Sequence, residues 1–548
     1  MVFARRSTTL LAAIIASCAM VLSLTACTSD NKTVVDGQTT VTSNSAGGVA
    51  VFTPSDGITL NQQMPLNKWA KLVPDLTKAL VDAGFKKGDI NHTTSDSLDK
   101  QSRAIQDFVV DHLSNNTTDD SGIAIAPDNM TLLVAPVVEA DASTRQYGDY
   151  VSQNLSTNDV TDEGATSDGE SSEDDSSKDD SSKDDSSNTE SDSTASDEQA
   201  QAVDRLVSSL KLAKESGMHV VLLGNSIEGY KPDAFVKFSD AQTIGKLQAE
   251  KMVSKLKLDK ASKDNPKYIE VLLPYTAMDE KGNANDSTFA QEAFRGIWQV
   301  LGSYYQKGVV ESPSGTLDGK STENDWQAVA YDAAKEGSTA KVLDKRLAKT
   351  DGQSTLTRID GIITMNDYIA SEVVKELDDL GYTGSAADIN PQITISGIVG
   401  NITGKKDLSR DAVPDPIKSP ENDNANDSSS SDDDADKDTS ASDKDRDSQW
   451  PLVTGYGAYV SNIPSIVNGK QWMTGMEDRQ TIATDIAQAC AKLNKDEALN
   501  SMPSIRNSEV GGVKKIPTIS EPLLAVSASN LKSALIDPGY ISLADAGL

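Results

Sequence analysis

Few residues in this chain are arranged to make or break covalent bonds. His92, His112 and His219 are its three histidines; they lie at no metal-like spacing, and His219 opens the apolar run HVVLL. No G-x-S-x-G elbow, phosphate-cradling loop or G-x-G-x-x-G turn is present. Acids are plentiful enough to supply a glycosidase pair, but no signature singles one out. Cys490 sits in the helical pattern IATDIAQACAKL and reads as a buried small residue rather than a nucleophile. An enzyme is therefore not expected, and no cofactor or metal is called for. What remains is the chemistry of binding. Asp240, Asn285-Asp286 and Asn366-Asp367 each precede a helical pattern, where such side chains either cap the helix or offer hydrogen bonds to a ligand. Trp69, at a helix start after a loop, is either core or a stacking surface, and Trp298 reads as buried on its helix.

Cys27 is the residue whose setting predicts a covalent change. Arg5 and Arg6 form a basic start, and Leu10–Leu24 is apolar but too short for an ordinary spanning helix. The Leu24-Thr25-Ala26-Cys27 that follows resembles the lipobox of bacterial lipoproteins. That resemblance implies that residues 1–26 are a signal peptide and that Cys27 is diacylated and becomes the N-terminus. The chain would then be extracytoplasmic, anchored to the outer face of the cell membrane by two or three acyl chains. The alternative is an ordinary secretory signal with a chance cysteine. With Cys18 removed and Cys27 lipidated, Cys490 stands alone and no intramolecular disulfide can form.

The formal charge of −32 is localised. Residues 158–199 carry a net −14 and residues 419–450 a net −8, which leaves −10 elsewhere. The rest is only mildly acidic, so nucleic acid is not an expected partner. The tracts SSEDDSSKDDSSKDDSS and SSSSDDDADKDTSASDKD cannot bury enough apolar surface to offset ordering, and they lack the glycine and closing glutamate of an EF-hand. They are expected as disordered acidic insertions spanning 156–199 and 412–449, protease-sensitive and deletable. Residues 27–48 read as a flexible tether.

Between these tracts short apolar strands alternate with helices. Strands are predicted at 49–53, 130–136, 219–223, 268–273, 361–364, 393–396 and 452–454. Helices are predicted at 69–83, 205–216, 241–256, 288–304, 368–380 and 479–493. Fully apolar strands alternating with helices imply an α/β fold with parallel sheets covered on both faces. Ligands in such folds collect beyond the carboxyl ends of the strands.

The order of motifs resembles the type I periplasmic sugar-binding proteins of ABC transporters, in particular the xylose and multiple-sugar-binding branch. The resemblance spans about 49–540 outside the insertions. It rests on Met64-Pro65…Lys68-Trp69, on Phe238…Asp240…Gly245 with Leu247-Gln248-Ala249, and on Asn366-Asp367 after GIITM. It rests also on IVNGKQWMTGMEDRQTIA (466–483) and IPTISEPLLAVSASNLKSALIDPGYI (516–541). It implies two Rossmann-like lobes joined by a three-segment hinge and closing on a sugar. The lobes would be 49–256 and 257–454, with 455–495 returning to the first and 496–548 crossing at the end. Carried onto this sequence, the ligand-binding residues would be Lys68, Trp69, Asn225, Asp240, Asn366, Asp367 and Tyr456. The implied function is a lipid-anchored, monomeric solute-binding protein that hands a sugar or short oligosaccharide to an ABC permease. A sensory or adhesive sugar-binding lipoprotein is the alternative. On this reading Asp367→Ala weakens ligand binding without a large loss of melting temperature.

Three positions depart from the family pattern. Gly457 stands where a sugar-binding Asp is usual, Asn225-Ser226 replaces Asp-Arg, and Lys68 replaces an Arg whose planar fork it cannot reproduce.

Overall fold

The computed structural model describes residues 34–35, 38–39, 46–56, 65–115, 126–138, 146–156, 190–278, 285–333, 335–348, 355–387 and 449–548. It divides into two units, Met1–Ser45 and Ala46–Leu548. In the first, the described residues form one antiparallel pair, Val34–Val35 with Gln38–Thr39. The signal segment, Cys27, most of the expected tether, the strand expected at 393–396 and nearly all of the acidic tracts lie outside the described residues.

The second unit is an α/β fold built on two sheets. Along the chain come β1 (Gly48–Pro54), α1 (Trp69–Asp82), β2 (Ile90–Ser95), α2 (Leu98–Asn115), β3 (Met130–Val134), α3 (Glu190–Glu215), β4 (His219–Leu223) and β5 (Ala234–Lys237). Next are α4 (Ala241–Leu256), β6 (Lys267–Val271), α5 (Thr288–Gln306), β7 (Val310–Glu311), α6 (Ser338–Arg346), β8 (Gly361–Ile363), α7 (Asp367–Leu380) and β9 (Leu452–Val453). The chain ends with β10 (Met473–Met476), α8 (Arg479–Leu493), β11 (Ile505–Val510), β12 (Val513–Ser520) and β13 (Leu524–Ser527).

The first sheet runs β11-β12-β5-β4-β3-β1-β2, parallel throughout except for the β11–β12 pair. Every residue of β3 is buried, because helices cover both faces; such strands read as unbroken apolar runs. Strand β2 (INHTTS) is at the edge and mostly exposed, so its sequence carries no apolar signal. The second sheet runs β7-β6-β8-β9, all parallel. Helix α4 packs with this sheet and with α5, so it lies in the second core although the sequence reading assigned it to the first lobe. Helix α3 starts at Glu190, fifteen residues before the helix predicted at 205–216 and inside the span assigned to the first insertion.

The chain passes between the two cores three times. It leaves the first sheet at Phe238–Asp240, returns at Met476–Asp478 into α8, and leaves again beyond Ser520, where Leu523 and Ala525 pack against the second core. Helix α8 lies in the first core with α1 and holds Cys490, fully buried. Strands β10 and β13 pair antiparallel beside these passages.

Candidate functional site

The seven residues expected to meet a ligand follow the carboxyl ends of strands or open the next helix, on both sheets. The structure gives nearly all of them protein partners. Asp240 caps α4, accepting from the Thr243 amide at 2.6 Å, and pairs with Lys237 Nζ at 2.6 Å. Burial alone would raise its pKa, but Lys237 and Thr243 outweigh it and hold the carboxyl below the usual range. Asn366 caps α7 through the Ile369 amide at 2.9 Å. Asp367 is wholly buried; Oδ1 accepts from Gln471 Nε2 at 2.7 Å, and Oδ2 accepts from the Tyr459 amide at 2.9 Å and Thr474 Oγ1 at 2.8 Å. Burial pushes its carboxyl up to about 6, against these hydrogen bonds. Trp69, expected as a stacking surface, is 2% exposed and packs edge-on to Tyr150 and Phe238 in the first core. Asp286 accepts from the Thr288 amide just before α5, and Asn285 donates to the Thr276 carbonyl. Trp298 is buried on α5, stacked against Phe294.

Gly457 stands in a backbone conformation that suits glycine. Its φ is +112°, and a β-carbon there would lie 3.0 Å from the Tyr459 ring and 3.2 Å from Pro65. Its carbonyl accepts from the Leu66 amide at 2.8 Å.

Where two of the crossings meet, Tyr456 OH, Ser239 Oγ and Glu477 Oε1 form a buried triangle. Tyr456 OH lies 2.7 Å from Ser239 Oγ and 2.5 Å from Glu477 Oε1, and Ser239 also bonds Glu477. Asn67 Nδ2 donates to the same phenol at 3.2 Å. Burial raises the Glu477 pKa, while the hydrogen bonds that Ser239 and Tyr456 donate to its Oε1 work against that rise. Its Oε2 has no partner among the described residues. Sequence reasoning missed Glu477, whose only mark was an acid directly after the strand Met473–Met476.

It also missed a segment that runs across the carboxyl ends of the first sheet. Asn154–Leu155 pairs with Ser226–Ile227 beyond β4, and Val151 bridges to Ser239 beyond β5. Asp149 accepts from Lys68 Nζ at 2.8 Å and from the Trp69 amide at 3.1 Å. Burial lifts the Asp149 carboxyl to about 6, Lys68 working against that and the neighbouring Asp56 carboxyl with it. Tyr150 OH donates to the Lys68 carbonyl, and the Gln153 amide donates to Asn225 Oδ1 at 3.0 Å. On the other side Asn366 Nδ2 donates to Gln146 Oε1 at 3.1 Å, and Tyr459 OH donates to the Gln146 carbonyl at 2.7 Å. Tyr147 is 1% exposed, its ring 4.6 Å from Phe289 and 6.3 Å from Tyr456. The signal for this segment was RQYGDYV, two tyrosines around a glycine just before a low-complexity tract.

Two grooves open elsewhere. One of about 600 Å³ lies between α1 and α8, and one of about 510 Å³ is lined by Tyr275, Met278, Trp326 and Tyr331. Neither is lined by any of the seven residues.

No protein-family model matches the chain, and no curated protein matches it. Among solved structures it is similar to an ABC transporter solute-binding protein from Clostridium phytofermentans with bound β-D-glucose. That match is 17% identical with a TM-score of 0.44, over 91% of this chain and 99% of that one. A carbohydrate transporter solute-binding protein from Chloroflexus aurantiacus, in complex with D-glucose, is 17% identical with a TM-score of 0.43, over 92% and 98%. A periplasmic ribose ABC transporter protein from Conexibacter woesei is 12% identical with a TM-score of 0.42, over 90% and 96%.

Proposed function

We propose that this chain is an extracytoplasmic solute-binding protein that captures a sugar or short oligosaccharide between two lobes for an ABC importer, lipid-anchored through Cys27. The observation that carries the reading is convergence. Polar residues beyond the carboxyl ends of two parallel sheets meet in one place, beside three chain passages that can serve as a hinge. The motif order from Lys68-Trp69 to the closing IPTISEPLL segment supports it independently. Amides, carboxylates and tyrosines at such a place suit a ligand that offers hydroxyls and apolar C–H faces.

Thermal shift and calorimetry across pentoses, hexoses and oligosaccharides test it. A ligand at a hundred times its dissociation constant adds about 2.7 kcal/mol to stability. No stabilisation by any sugar, up to its solubility, overturns the proposal. Anchoring is tested by mass spectrometry of membrane-extracted chain. Diacylglycerol on Cys27 is expected, and a Cys27→Ser chain should leave the membrane fraction.

A further inference from the structure

The connection from β3 to α3 is far longer than such a crossover needs. Strand-to-helix links in α/β units run to roughly 2–6 residues, whereas here residues 135–189 intervene. Of its described residues, 146–155 bond or pack against Lys68, Trp69, Asn225, Asn366 and Tyr456, most of the set expected to hold a ligand. One segment of the chain thus supplies partners to residues of both lobes at once. From these contacts we infer that Gln146–Leu155 is a built-in occupant of the cleft, which holds the lobes closed without ligand and must be displaced for ligand to enter. The second half of this inference rests on the sugar-binding reading; the first does not.

The attachments are unequal, which makes the device releasable. Asp149, Tyr150, Val151 and Leu155 fasten the segment along the first sheet, by the Asp149 N–H to the Asn67 carbonyl, by ring contacts to Phe238 and by the pairings beyond β4 and β5. The reach into the second lobe rests on the hydrogen bonds of Gln146 and the ring of Tyr147, with Val151 packing in the same core. Gln146 offers its carbonyl to Tyr459 and its side chain to Asn366, while Tyr147 lies against Phe289. Trimming these two side chains removes the Asn366 hydrogen bond and the ring contact, weakening the bridge while the first-lobe anchors stay in place. Ligand affinity in the natural chain is then reduced by the fraction of molecules whose segment is displaced.

The test measures lobe separation and sugar affinity in the full-length chain. Spin labels on Lys78→Cys of α1 and Lys341→Cys of α6, both exposed, report the separation. The background is Cys18→Ser, Cys27→Ser, and Cys490 is fully buried. Gln146→Ala/Tyr147→Ala is expected to lengthen and broaden the distance distribution, and Tyr147→Phe to leave it unchanged. Sugar affinity is expected to tighten roughly tenfold or more in the double variant. Gln146→Ala alone, which keeps the aromatic packing and so the fold, should move both readings the same way by less. An unchanged distribution in folded Gln146→Ala and in the double variant overturns the closure, and open lobes with unchanged affinity overturn the displacement. If no sugar binds any of these chains while the distances lengthen, the sugar reading fails and the closure stands.

Discussion

Asp367 accepts from Gln471, Tyr459 and Thr474 at full burial, so removing its carboxylate strands three donors where water cannot reach them. Each buried donor left without a partner costs about 1–3 kcal/mol. Asp367→Ala is therefore expected to lose on the order of 3 kcal/mol or more in chemical denaturation. That differs from the sequence expectation of a tolerated, ligand-only effect, and a melting temperature within a degree or two of the natural chain would restore the ligand-only role. Glu477 Oε1 accepts from Tyr456 and Ser239 at full burial. Glu477→Gln keeps the shape and an acceptor oxygen for both hydroxyls, so it should cost under about 1 kcal/mol. Glu477→Ala leaves Tyr456 and Ser239 short of a partner and should cost roughly 2–3 kcal/mol. Equal losses in the two variants would show that the acceptor oxygen at this position does not stabilise the fold.

At the scale of elements, the tightest join is the crossing of α4 and α5. A β-carbon at Gly245 would lie 2.2 Å from the Ala293 carbonyl, and one at Gly296 would lie 2.0 Å from the Gln242 carbonyl. Backbone cannot yield there as a side chain can, so Gly296→Ala should force the helices apart and cost about 2–4 kcal/mol in urea unfolding, though alanine is the better helix former. A neutral or stabilising Gly296→Ala would show that the helices can slide. Gly245 was legible as part of a motif, but its physical reason, a helix lying across it, is tertiary. The same divide runs through the fold. Strands buried on both faces and helix α8 at 479–493 were readable because burial writes continuous or 3.6-period apolarity. Strand β2 was not, since an exposed edge strand needs no apolar residues, and neither was Gln146–Leu155. That segment draws its order from pairing with residues 70 or more positions away, such as Asn225, and local pattern holds no trace of such partners. Of the candidate residues, Lys68, Asn225 and Asn366 bond to that segment, whereas Asp240 and Asp367 find their partners elsewhere.

Three buried carboxyls give the whole molecule an unusual response to acid. The folded-state pKa values of Asp149 and Asp367 are raised from 3.8 to about 6, burial being the main cause, and that of Glu477 is raised as well. A raised carboxyl means that the folded chain binds the proton more tightly than the unfolded chain does. The associated stability is complete below the unfolded value near 4 and is lost as pH rises through about 6. Bringing the protein from pH 7 to pH 5 should therefore stabilise it, by about 1 kcal/mol for each of Asp149 and Asp367. Further acidification reverses the trend, because carboxyls held low by hydrogen bonds, among them Asp240, Asp99 and Asp318, then lose their partners. A chain of charge −32 would also gain from acid simply by shedding repulsion. Salt separates the two causes, since at 1 M it screens exposed charges beyond about 3 Å and leaves buried groups nearly untouched. Unfolding measured at pH 5 and pH 7 should show the gain surviving 1 M salt and shrinking in Asp149→Asn. A gain abolished by salt would assign it to the acidic tracts instead of the buried carboxyls at the cleft.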